Sequence, residues 1–220
     1  MKVVLSLGGS IISVEEPELI KELGDLLKRC SRNVDLYIVT GGGKTSRAYI
    51  GTARSLGAGE EFLDAIGIAA TRLNAMLIKT LLDSHDGTVP KTVEEAAGKH
   101  PPVVMGGTIP GHSTDAVGAM LAREIEADRF VIATDVDGIY DKDPKKDSSA
   151  KKYDSIPISV LREISPATWG KAGKSSVIDG IACKIIDEGK ICTSVVNGND
   201  IESLENAIYG REFKGTLIEV

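Results

Sequence analysis

Three glycine-rich runs, each directly following a short apolar segment, are the part of this chain best suited to chemistry. Val3-Val4-Leu5-Ser6-Leu7 leads into Gly8-Gly9-Ser10. Leu36-Tyr37-Ile38-Val39-Thr40 leads into Gly41-Gly42-Gly43-Lys44, and Val103-Val104-Met105 into Gly106-Gly107-Thr108. Glycine lets a backbone N–H approach a bulky anion with no Cβ in the way. A turn that opens a helix also directs unpaired N–H groups at that anion. Repetition of the device predicts a site that holds several phosphates at once.

The second run carries the strongest signal. It lacks the Gly-Lys-Ser/Thr ending of a P-loop and the glycine spacing of a dinucleotide fingerprint. Lys44 and Arg47 are three residues apart, so on a helix they share a face beside the turn. They are read either as two cations next to the N–H groups or as a solvated pair. Asp64 is either a solvent-facing carboxylate or a partner for a ribose diol.

In Thr108-Ile109-Pro110-Gly111-His112-Ser113-Thr114-Asp115, the hydroxyls offer neutral donors and acceptors on an exposed loop. Thr114 or Asp115 is expected to cap the following helix, and His112 is read as structural or solvent-facing. Thr134-Asp135-Val136-Asp137-Gly138-Ile139-Tyr140-Asp141-Lys142-Asp143-Pro144 fails the spacing of a calcium loop. Thr134, Tyr140 and Asp143 there either hold a purine and its ribose or belong to a polar turn.

Positioning these runs requires alternating strands and helices. Pro17 followed by Leu19, Ile20, Leu23, Leu26 and Leu27 marks a helix. A second helix runs from the triple glycine to about Ser55, and a long one from Glu60 to Leu82 is apolar on more than one face. Val89 to Lys99 reads as a short strand and helix. Ala116 to Ile125 is helical, Phe130–Thr134 is a buried strand, and Asp135–Asp154 is a polar stretch. A late helix around Ile178–Ile186, a strand at Thr193–Val196, a helix at Leu204–Tyr209 and a closing strand at Lys214–Val220 complete the pattern. The expected fold is α/β, a three-layer α/β/α sandwich on a mostly parallel sheet. Ligands should sit beyond the carboxyl ends of the strands. A seam is expected near Asp135–Tyr153.

Composition limits the partners. The net charge of −6 argues against broad nucleic-acid binding, while leaving room for a local cluster of cations around a small anion. No apolar stretch is long enough for a membrane span. The N-terminus starts on a strand without signal-peptide features, so a cytoplasmic protein is expected. Cys30, Cys183 and Cys192 read as reduced thiols rather than a disulfide frame or a metal site.

Together these residues resemble the amino acid kinase superfamily, and most closely its archaeal-type uridylate kinases, over essentially the whole chain. Leu7-Gly8-Gly9-Ser10, the Gly-Gly-Gly-Lys-x-x-Arg run ending at Arg47, the Thr108–Asp115 loop and the Thr134–Pro144 segment carry the resemblance. It implies transfer of the γ-phosphoryl group of ATP to UMP, with Mg²⁺ accompanying ATP, in a homohexamer. It also implies a single domain with an acceptor half over about 1–130 and an ATP half over about 131–220. Gly9, Ser10, Gly43 and Arg47 would lie near the ATP phosphates, with Thr134, Tyr140 and Asp143 at the adenosine. Gly42, Asp64 and Thr108, Ile109, Pro110, Gly111, His112, Ser113 and Thr114 would lie on the UMP side. Asp179 resembles the family's organising aspartate. Many bacterial relatives carry Lys where Ser6 stands. Lys44 and Arg47 are therefore the first choices for the neutralising cations, with Lys174 and Lys184 behind them. Other members of the superfamily, acting on isopentenyl phosphate or an acylglutamate, and a non-catalytic nucleotide-binding regulator are the alternatives.

Overall fold

Burial is continuous from Val3 to Leu7 in β1 (Lys2–Leu7), and the strand's period of two sorts these side chains between two cores. Val3, Leu5 and Leu7 enter one and Val4 the other. Strands β2 (Asp35–Thr40) and β4 (Arg129–Thr134) do the same, with Leu36, Ile38, Val131 and Ala133 on the first side and Tyr37, Val39, Phe130 and Ile132 on the second. A sheet apolar on both faces must be covered on both faces. The computed structural model, which describes residues 1–82, 88–165 and 178–220, shows that arrangement.

Helices α1 (Pro17–Ser31), α3 (Glu60–Leu81) and α8 (Ile201–Tyr209) supply the first core. Helices α4 (Val93–Ala97), α5 (Thr114–Glu124), α6 (Ile158–Ile164) and α7 (Gly180–Gly189) supply the second. Helix α2 (Gly43–Ser55) packs on α3. With β3 (Val103–Met105), β5 (Ser155–Pro157), β6 (Thr193–Asn197) and β7 (Gly215–Glu219), the strand order is β3-β2-β1-β4-β6-β7-β5. The pairings from β3 to β6 are parallel; β7 runs antiparallel to β6, and β5 is parallel to β7.

The chain winds outward from β1 to β2 and β3, then returns to place β4 on the other side of β1. That reversal opens a crevice at the carboxyl ends of β1 and β4. Leu7 pairs with Thr40 on one side and Ala133 on the other, so the residues after all three strands emerge level.

The expected fold class is observed, with local differences. Segment 89–99 yields only the short helix α4, which Thr92 caps by accepting from the Glu95 amide at 3.2 Å. β5 and α6 are unanticipated, because three-residue β5 is too short to show a period. Of the glycine runs, only the second opens a helix directly; the first is followed by a loop to α1 and the third by a loop to α5. The three cysteines are free thiols, and burial pushes Cys30 and Cys183 up to about 11. Among the described residues no helix is long and apolar enough to cross a membrane.

Candidate functional site

The first two glycine turns are built against each other. A Cβ on Gly9 would fall well inside contact distance of the Gly43 amide, and one on Gly43 would overlap the Gly9 carbonyl. Gly43 also has φ +57°, a conformation that side-chain-bearing residues rarely adopt. The glycines thus first allow two loops to touch, and only then an anion to approach. Two amides are already engaged: Gly8 N–H donates to the Ala133 carbonyl at 2.8 Å and Gly41 N–H to the Leu7 carbonyl at 2.9 Å. Further donors are offered by the start of α2. Its N-cap is Gly42, which brings no side chain to the first-turn amides.

Helix α3 clamps these turns through polar residues that sequence reasoning missed. Asn74 Nδ2 donates to the Gly41 carbonyl at 2.7 Å. Thr71 Oγ1 accepts from the Gly107 amide at 2.7 Å, and Thr40 Oγ1 donates to the Thr71 carbonyl at 2.9 Å. Arg72 donates to the carbonyls of Gly107 and Thr108, each at 3.1 Å. Asn74, set among Leu73, Ala75, Met76 and Leu77, was the available signal, and it is buried.

A cavity of about 780 Å³ opens over these turns. It is lined by the expected Gly9, Ser10, Gly42, Gly43, Arg47, Asp64, Ile109, Pro110, Gly111, His112, Ser113, Thr114, Thr134, Tyr140 and Asp143. Gly67, Ile68 and Thr71 of α3 and Lys142 and Lys145 of the 135–147 loop also line it. Lys44, Thr108 and Asp179 are not among the lining residues. Lys44 Nζ instead pairs with Glu15 at 2.9 Å, both side chains being exposed. Thus the expected Lys44/Arg47 pair is split: only Arg47 reaches the cavity. Lys184, on α7, is exposed and 3.8 Å from Glu188, and Lys174 lies outside the described residues.

The cavity lysines have carboxylate partners, Lys145 with Asp135 at 2.6 Å and Lys142 with Asp147 at 3.2 Å. Asp143 accepts from the Lys145 amide at 3.0 Å and pairs with Lys146 at 3.1 Å, which together hold its carboxyl below the usual range. Among the described residues no ion pair occupies Arg47. His112 Nδ1 is buried without a hydrogen-bond partner among them.

At the cavity wall lies a serine–aspartate group, of which Ser113 and Asp115 line the cavity. Period two turns Ser6 away from α1 and toward α5, where Ser6 Oγ donates to Asp115 Oδ1 at 2.6 Å. Ser113, rather than Thr114 or Asp115, is the N-cap of α5: its Oγ accepts from the Ala116 amide at 2.9 Å. Ser113 still has the extended backbone a cap requires, whereas Thr114 and Asp115 are already helical. Ser113 Oγ also donates to Asp179 Oδ2. Asp179 caps α7, its Oδ1 accepting from Ile181 at 2.8 Å and Ala182 at 3.0 Å. One buried carboxylate thereby ties α7 to the loop beside the cavity. Burial pushes Asp115 up to about 7, the nearby Asp179 charge adds to this, and the Ser6 hydroxyl opposes it.

A doubly wound α/β protein with a glycine-walled cavity at its switch point is the class these features define. The model of the amino acid kinase family matches residues 1–197, and the chain belongs to that family. The uridylate kinase of Archaeoglobus fulgidus is 48% identical over 221 residues, covering 99% of this chain and 100% of the relative. That of Methanocaldococcus jannaschii is 45% identical over 229 residues, covering all of both chains. The crystal structure of the Archaeoglobus fulgidus uridylate kinase superposes with a TM-score of 0.88 at 47% identity, covering 99% of this chain and 100% of that one. A UMP kinase structure from Bacillus anthracis, at 21% identity and a TM-score of 0.78, shares the fold.

Proposed function

We propose that this chain transfers the γ-phosphoryl group of ATP to UMP, giving UDP and ADP, as a step of pyrimidine nucleotide synthesis in the cytoplasm. The carrying observation is one continuous cavity that runs from Asp64 and the 109–114 loop, across the glycine turns, to Thr134, Tyr140 and Asp143. In this reading the acceptor lies on the half spanning about 1–130 and ATP on the half spanning about 131–220. The two phosphate chains meet over Gly9 and Gly43. Relatives of near-half identity and full-length coverage, all called uridylate kinases, support the choice of acceptor.

A phosphate oxygen of UMP attacks the γ-phosphorus. The bond from that phosphorus to the β,γ-bridging oxygen breaks, and its electron pair leaves with ADP. The attacking oxygen is already anionic near neutral pH, since the second pKa of a phosphate ester is about 6, so no general base is required. Catalysis rests on alignment and on stabilising the spread negative charge. The first amides of α2 and the Arg47 guanidinium serve that purpose. Among the described residues no three His, Cys, Asp or Glu side chains converge as metal ligands, and Asp135 and Asp143 are already paired with lysines. Mg²⁺ would accompany the ATP phosphates and supply positive charge against the transferring group.

ADP release measured with UMP, CMP, isopentenyl phosphate and acetylglutamate tests the proposal. Turnover with UMP at least tenfold above the others is expected; turnover with acetylglutamate alone overturns it. Asp64 separates the halves of the cavity further. Asp64→Asn should raise KM for UMP by about tenfold, the scale of one lost hydrogen bond to a charged group, with KM for ATP little changed. A rise in the ATP value alone places Asp64 on the wrong side.

The homohexamer is proposed from α3. Phe62, Leu73 and Met76 are 63%, 57% and 50% exposed on one stripe of that helix, which is costly for large apolar side chains left in water. Leu73→Glu should shift the mass measured by light scattering from hexamer to smaller species. An unchanged mass removes this stripe from the contact.

A further inference from the structure

Asp115 is an acid placed where a phosphate site should tolerate none. It lines the cavity beside Gly8, Gly9 and Ser10, which the proposed reading gives to phosphates. No cation lies within ion-pair distance of it among the described residues. Ser6 on β1 donates to Oδ1, and no group among the described residues is bonded to Oδ2. Asp179, before α7, faces it as a second carboxylate, and Cys183 of α7 is close enough to sense both charges. The neighbouring side chains of β4, Phe130 and Ile132, are apolar. The other ionisable groups lining the cavity are Arg47, Asp64, His112, Asp135, Tyr140, Asp141, Lys142, Asp143 and Lys145. Asp179 accepts from Ser113 and from two helix amides.

We propose that Asp115 meets a bound phosphate as the neutral carboxylic acid, its Oδ2–H donating to a phosphate oxygen while Ser6 holds Oδ1. An ionised Asp115 would face the phosphate with no donor and like charge. Burial and the Asp179 charge both favour the neutral form, in line with the rise to about 7. Binding of phosphate ligands should therefore weaken above neutrality even after the ligands themselves are fully ionised.

The inference rests on the nucleotide reading of the cavity, and the test separates the two. ADP alone and UMP alone, neither of which turns over, are titrated by calorimetry from pH 7 to 8.5. For the wild-type protein the affinity of at least one should fall roughly tenfold, the behaviour of one linked proton. Asp115→Asn, which keeps an N–H donor but cannot ionise, should vary less than about twofold across the same range. Ser6→Ala removes the bond that favours the ionised form, so its fall should move to higher pH. Melting curves give a readout without ligand. A carboxyl raised in the folded state contributes stability that is complete below its ordinary value near 4 and is lost as pH rises through about 7. Asp115→Asn should accordingly gain on the wild type over that window. A wild-type affinity flat with pH, or the same fall in Asp115→Asn, overturns the inference alone. Failure of both ligands to bind at any pH overturns the nucleotide reading together with it.

Discussion

Arg47→Ala is expected to lower kcat by at least about a hundredfold while the protein remains folded and assembled. Arg47 sits in the second turn of α2, reaches the cavity, and carries no ion pair among the described residues. The other cavity cations, Lys142 and Lys145, already neutralise Asp147 and Asp135. Removal of one preorganised donor from a developing anion costs about 3–4 kcal/mol of barrier, which is where the hundredfold comes from. Arg47 is exposed, so its loss leaves no hole and should move the melting temperature little. The companion Lys44→Ala is the contrast. Its side chain holds Glu15 at the surface, and such exposed pairs contribute about 0–1 kcal/mol. Steady-state kinetics on both variants decide the matter: comparable losses for Lys44 and Arg47, or near-normal turnover in Arg47→Ala, would remove the Arg47 assignment.

Gly43→Ala should be the most damaging single methyl in the molecule. The residue is left-handed at φ +57°, costing about 1–2 kcal/mol for any L side chain. Its new Cβ would overlap the Gly9 carbonyl, a backbone atom that cannot rotate away. Overpacking of this kind adds about 1–3 kcal/mol. A combined cost of roughly 3 kcal/mol corresponds to a fall in Tm of roughly 6–12 °C for a domain of this size. Activity should fall further than stability. Parting the two turns by about 1 Å displaces the first amides of α2 from the phosphates, and misplacement on that scale costs about a hundredfold. Gly51→Ala is the control, since nothing stands within 4 Å of the added carbon. A Gly43→Ala protein with wild-type melting and turnover would mean that the turns do not touch as described.

These two variants also mark where sequence reading succeeds and stops. The strand-then-glycine pattern is local, so the runs after β1, β2 and β3 could be read directly, and most of the residues named from them line one cavity. Lys44 and Arg47 looked equivalent because spacing places them on one helix face. Glu15, far off in the chain, drew Lys44 outward. The third run was legible as glycine, but its clamp by Thr71 and Arg72 was not, since those residues lie on a helix that reads as apolar.

The sequence by itself determined the alternation of elements, the family and the set of glycine turns, because these depend on neighbouring residues and on periods of two and of 3.6. Only the tertiary structure decided that Gly9 and Gly43 press together, that Arg47 rather than Lys44 faces the cavity, and that Ser6 binds Asp115 across 109 positions of chain. Those contacts are formed by how the sheet orders its strands, and strand order follows from burying two apolar faces at once, which no local pattern encodes.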